Sequence, residues 1–123
     1  MRYVCTKESQ EGYFPVGSIS TLIKEVREQV YFDNGDLNMI TVGSEFFYAH
    51  HQPLKEFLIE NLKLNKFQVL FLVLENMRVP DLAVIMGNYK AAMQHRNAGG
   101  SIESVENQLA KVRVFIQEVI NKL

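Results

Sequence analysis

The chain has 123 residues, 47% hydrophobic and 22% charged, enough for one compact domain with an interior of its own. Its formal net charge of -1 removes the simplest basis for nucleic-acid affinity, many Lys and Arg contacts to phosphate, so any DNA binding must rest on local asymmetry. A single cysteine, Cys5, excludes an internal disulfide and a cysteine-built zinc site, and Val69 to Leu74, the longest apolar run, is far short of the roughly 20 residues of a membrane span.

With no charged-then-apolar leader at its start, the chain reads as a cytoplasmic protein with no membrane partner. The expected fold class is α+β: a small N-terminal helix plus a β-hairpin within 1-50, then a C-terminal bundle of about four helices over 53-123, in a single domain spanning 1-123. Tyr3 and Val4 suggest a short opening strand, and Gly12 to Gly17 a loop. Ile19, Leu22, Ile23 and Val26 recur at helical spacing behind Ser18 or Ser20, which predicts a helix ending near Arg27. Asn34-Gly35, set between Val30-Tyr31-Phe32 and Leu37 to Ile40, suits a type I′ turn and predicts a hairpin. Its second strand can continue through Val42, with Gly43-Ser44 as a bulge or break before Phe46-Phe47-Tyr48, aromatics expected to complete a small core.

Beyond His50 the period changes. Pro53 suits the first position of a helix carrying Leu54, Phe57, Leu58 and Leu62 on one side. Asn65 can cap a second helix to about Met77, apolar nearly all round and therefore central. Pro80-Asp81 opens a third helix with Leu82, Ile85, Met86, Tyr89 and Met93 inward, ended by Asn97-Ala98-Gly99-Gly100. Ser101 caps the last helix, in which Ile102, Val105, Leu109, Val112, Ile116, Val119 and Leu123 alternate in steps of three and four. That heptad seam predicts a homodimer interface through Ile102, Val105, Leu109, Val112, Ile116 and Val119, while Val114, Phe115 and Ile120 widen the apolar surface toward the chain's own domain.

Residues suited to catalysis or metal binding are sparse. His50 and His51 diverge on any regular backbone and have no acidic or cysteine partner at zinc-site spacing, so no metal is expected. Asp33-Asn34-Gly35-Asp36 lacks the alternating oxygen ligands and bidentate glutamate of a calcium loop. With no Gly-rich phosphate loop, no nucleophile elbow and no histidine motif paired with Cys5, the sequence predicts no catalytic residues, no cofactor and no enzyme.

In the helical half, Leu64-Asn65-Lys66-Phe67-Gln68-Val69-Leu70-Phe71-Leu72, then Val79-Pro80-Asp81-Leu82-Ala83-Val84-Ile85-Met86-Gly87, then Ser101-Ile102-Glu103-Ser104-Val105-Glu106-Asn107-Gln108-Leu109 resemble the helix-turn-helix of LuxR-type and sigma region 4-like transcription regulators. The resemblance covers residues 64-123. It implies that the helix from Ser101 reads a major groove, with Ser104, Asn107, Gln108, Lys111 and Arg113 as DNA-binding residues. Two features depart from the family's pattern: about two extra helical turns between Gly87 and Gly100, and Glu103 and Glu106 on the approaching helix. The sequence thus predicts a small, dimeric DNA-binding transcription regulator. Its alternative is a non-enzymatic homodimeric protein-protein interaction module, an adaptor or a modulator of a host protein.

Overall fold

A computed structural model describes residues 1–7, 15–34 and 39–123. The chain opens with strands rather than a helix: β1 (Arg2–Cys5), β2 (Ile19–Val26), β3 (Gln29–Asp33) and β4 (Met39–Gly43), then α1 (Ser44–His50) and β5 (His51–Pro53). They form one antiparallel sheet in the order β4-β3-β2-β1-β5, so that after α1 the chain returns to the far side of β1. The expected hairpin is present as β3 and β4, paired from Gln29↔Gly43 to Asp33↔Met39; the expected Asn34-Gly35 turn falls on residues 35–38, outside the described residues. Part of the expected Gly12 to Gly17 loop lies outside them as well.

The helix expected from Ser18 to Arg27 is strand β2. A bulge accounts for the difference: the register with β3 shifts between Leu22 and Lys24, so one extra residue enters the strand. Leu22 lies opposite Phe32 on one face, whereas beyond the bulge Lys24 pairs with Tyr31 and the alternation changes phase. Apolar residues at 19, 22, 23 and 26 then mimic a helical period on an extended backbone. β2 and β3 join through Arg27 and Glu28, with φ of 52° and 63°, the two-residue left-handed turn that normally takes Asn or Gly. At Gly43-Ser44, expected as a bulge or break, β4 ends and α1 begins, which buries Phe47 completely and leaves Phe46 and Tyr48 at the surface.

The sheet carries a core on each face. On one, Tyr3, Cys5, Val30 and Phe32 pack around Phe47 of α1, with Leu22, Ile40 and Val42 at the margin. On the other, Val4 joins the interior of a four-helix layer: α2 (Leu54–Lys63), α3 (Phe67–Asn76), α4 (Leu82–Asn97) and α5 (Ile102–Asn121). All four expected helices are present. Leu58, Leu70, Val73, Leu74, Val112 and Ile116 are wholly excluded from solvent at the centre of this layer. α3 is less uniformly buried than expected, because Val69 and Leu72 face outward. Ser101 caps α5 by accepting from the Ser104 amide at 3.5 Å, whereas Asn65 is not a cap; with φ 54° it forms the left-handed step between α2 and α3. At Gly17, φ is 89° and a Cβ would stand 3.0 Å from Leu72 Cδ2, so that approach of the sheet to α3 requires glycine.

Candidate binding cleft

Side chains named for DNA contact divide between two sides of α5. Ser104, Asn107 and Lys111 are exposed and lie along one face at helical spacing. Gln108 is half-buried where that face meets α4, and with Ser104, Asn88, Ala91 and His95 it borders a groove of about 320 Å³. Arg113, two residues on from Lys111, points to the opposite side. Its Nη1 donates to the Leu62 carbonyl at 2.9 Å and also to Asn65 Oδ1, so it ties α5 to the end of α2.

The seam assigned to a dimer lies mostly inside the chain. Val105, Val112 and Ile116 are buried against its own helices, Leu109 and Val119 are half-buried in the same core, and only Ile102, 80% exposed, remains open. Most of the expected interface is thus engaged within the chain itself. The three-and-four spacing is met largely by α2 and α4 of the same chain, with Ile102 open at one end of the seam and Val119 half-buried at the other.

α4 and α5 run antiparallel along their whole length. Val84 and Ile85, early in α4, border the same cleft as Phe115 and Val119, late in α5, and His95 stands near Ser104 and Val105 at the opposite end. The pair is a helical hairpin joined by the four residues 98–101, and it differs from a helix-turn-helix in running antiparallel rather than crossing at about 90–120°. His50 and His51 each direct Nδ1 to a carbonyl one turn back, on Phe46 (2.7 Å) and Phe47 (2.9 Å).

One cleft, of about 700 Å³, lies where the start of β1, the α3–α4 connection and the end of α5 meet. Its floor is apolar, from Val79, Ile85, Phe115 and Val119, all half-buried. Arg2, Arg78 and Lys122 line its rim with Asp81 and Glu118, and the exposed Val84 stands at its lip. Two wall residues hold left-handed backbone without being glycine: Arg78 at φ 58° and Asp81 at φ 64°, on either side of Val79-Pro80. Such conformations cost of order 1 kcal/mol each and concentrate at binding sites and switches. Arg2 and Arg78 also border a second depression, of about 460 Å³, with Ser18, Thr21 and Asn76. None of these cations is conspicuous in the sequence, because the residues that meet here come from both ends of the chain and from a turn. Pro80-Asp81, expected as a helix start, is the one local sequence signal in this segment.

No protein-family model matches the chain, and no curated protein or solved structure does so either.

Proposed function

We propose that the chain is a non-enzymatic protein-interaction module whose helical half receives a short apolar segment of a partner protein in the cleft between the α3–α4 connection and α5. The supporting observation is the combination of an apolar floor with a charged rim, the layout of a protein interface in which the centre excludes water and the edge stays polar. Burial of a partner side chain on Val79, Ile85, Phe115 and Val119 supplies affinity at about 25 cal/mol per Å² of apolar surface. Arg2, Arg78 and Lys122 set orientation and encounter rate more than affinity.

The test is a photo-crosslinking residue at Val84, on the lip, compared with one at Gln94, exposed on α4 away from the cleft. A single defined adduct from position 84, absent from position 94 and abolished by Arg78→Glu, is the expected result. Equal adducts at both positions, or indifference to Arg78→Glu, would exclude the cleft.

A second reading, a DNA-binding regulator, draws support from the exposure of Ser104, Asn107 and Lys111 along one face of α5. It is tested by duplex retention across a salt series. Under this reading Lys111→Ala weakens retention and reduces the salt slope by about one phosphate contact. Retention that ignores Lys111 removes it.

A further inference from the structure

The two edges of the sheet are treated differently. β5 has only three residues, ends in Pro53, which has no N–H to offer, and runs straight into α2, which packs beside it. β4, at the other edge, has five residues, Met39-Ile40-Thr41-Val42-Gly43, with no charge and no proline, and the bulge of the sheet lies in β2 instead. Proteins normally blunt an open edge with Lys, Pro, a bulge or a covering segment. Among the described residues β4 shows none of these devices at its open edge.

The backbone pattern shows which groups are open. The Ser44 amide donates to the Glu28 carbonyl at 2.8 Å. Hydrogen-bonded pairs alternate along an antiparallel ladder, so Val30/Val42 and Phe32/Ile40 bond inward, and the N–H and C=O of Met39, Thr41 and Gly43 point away from β3. Ile40 and Val42 pack toward Phe47, while Met39 and Thr41 lie on the exposed side, Met39 being 64% accessible.

We propose that this edge pairs with β4 of a second copy, antiparallel about a two-fold axis at Thr41, so that the two sheets become one. A row of outward amides and carbonyls specifies an extended strand as its occupant, and β4 is itself such a strand with a self-complementary register. Thr41 stands opposite Thr41, a favourable cross-strand pair, and Met39 opposite Gly43, which has open space where a Cβ would be. No like charges meet, because β4 has none. The register forms about six backbone hydrogen bonds. It buries far less than the roughly 1,200 Å² of a standard interface, so the dimer dissociates readily and its mass depends on concentration. This surface is separate from the α3–α4/α5 cleft, and neither reading depends on the other.

Two measurements on the full chain test the proposal. Sedimentation across a concentration series from micromolar to millimolar is expected to show a monomer–dimer equilibrium. Thr41→Lys abolishes it, because two like charges then face each other across the axis while the side chain stays in solvent and the fold is kept. Thr41→Cys is expected to form an interchain disulfide under mild oxidation, since opposed hydrogen-bonded residues have Cα atoms about 5.5 Å apart, within disulfide range. Asn107→Cys, exposed on α5, should not, and the native Cys5 is buried. A monomer at every concentration overturns the proposal. So does a dimer that survives Thr41→Lys, or cross-linking as fast through position 107 as through 41. Saturable binding of an added strand-forming peptide by a chain that stays monomeric would show the edge accepting another partner and would equally overturn self-pairing.

Discussion

The imidazole of His51 lies flat on the ring of Phe47, 4.1 Å between centroids and 8° between planes, with Nδ1 2.9 Å from the Phe47 carbonyl. A carbonyl only accepts, so Nδ1 carries a proton, and the neutral ring is the Nδ1–H tautomer. Burial pushes His51 below its ordinary value of 6.5, the Phe47 carbonyl opposes this, and neighbouring His50 adds to the lowering. Between 6.5 and the lower folded value the unfolded chain binds a proton that the folded chain refuses. The contribution of His51 is therefore complete above 6.5 and is lost as the pH falls below it. Urea midpoints at pH 7.5 and 5.5 should differ more for the native chain than for His51→Gln. Equal differences would show that His51 does not drive the acid sensitivity.

Arg113 and Lys111 are two residues apart on α5 and should behave in opposite ways. Arg113 donates to the Leu62 carbonyl and to Asn65 Oδ1; Arg113→Ala removes both ties while the Leu62 carbonyl keeps the Asn65 amide at 3.1 Å, so the substitution should cost about 1–2 kcal/mol. Lys111 is exposed, and Lys111→Ala should stay within about 0.5 kcal/mol. Chemical denaturation of the two variants reads this directly. A larger loss at Lys111 would contradict the assigned contacts.

The helical half was largely legible in the sequence because its signals are local: apolar spacing near 3.6, Pro80-Asp81 ahead of α4, Gly99-Gly100 after it and Ser101 before α5. What periodicity cannot say is which surface meets an apolar stripe. The α5 seam fits a second copy and the chain's own α2 and α4 equally well, and only the tertiary arrangement decides. In the N-terminal half the β3–β4 hairpin was visible through its β-favouring runs, while β2 was hidden by a bulge that reproduces a helical period. The cleft was not legible, because Arg2, Arg78 and Lys122 meet through long-range packing and share no motif.

Because the seam is interior, its substitutions should act on folding rather than on association. Ile116 is wholly buried, and Ile116→Ala should cost about 2–5 kcal/mol through lost transfer energy and a residual cavity. Ile102 belongs to the same heptad series but is 80% exposed, so Ile102→Ala should change stability by less than about 0.5 kcal/mol. Thermal melts paired with solution mass separate the cases. A folded monomer from Ile116→Asp at native stability would restore a dimer role to the seam.

The β2–β3 turn offers a gain in stability. Arg27 and Glu28 both occupy left-handed backbone, where a Cβ crowds the following carbonyl at a cost of roughly 1–2 kcal/mol per residue. Nothing in the turn needs those side chains for packing, since both are exposed. Asn at the first position and Gly at the second tolerate these angles best, so Arg27→Asn with Glu28→Gly should stabilise the chain by about 1 kcal/mol after the extra chain entropy of glycine is subtracted. The pair also bears on β4. The Glu28 carbonyl holds the Ser44 amide at 2.8 Å, so the turn sets the end of the edge strand as well as the hairpin that precedes it. A single Glu28→Pro should therefore do more than lose the turn, because proline cannot adopt a φ near +63° and would pull the carbonyl away from Ser44. Its expected signature is faster amide exchange at Ser44 together with a lowered melting temperature. Protected exchange at Ser44 in that variant would show that the edge is held by α1 alone.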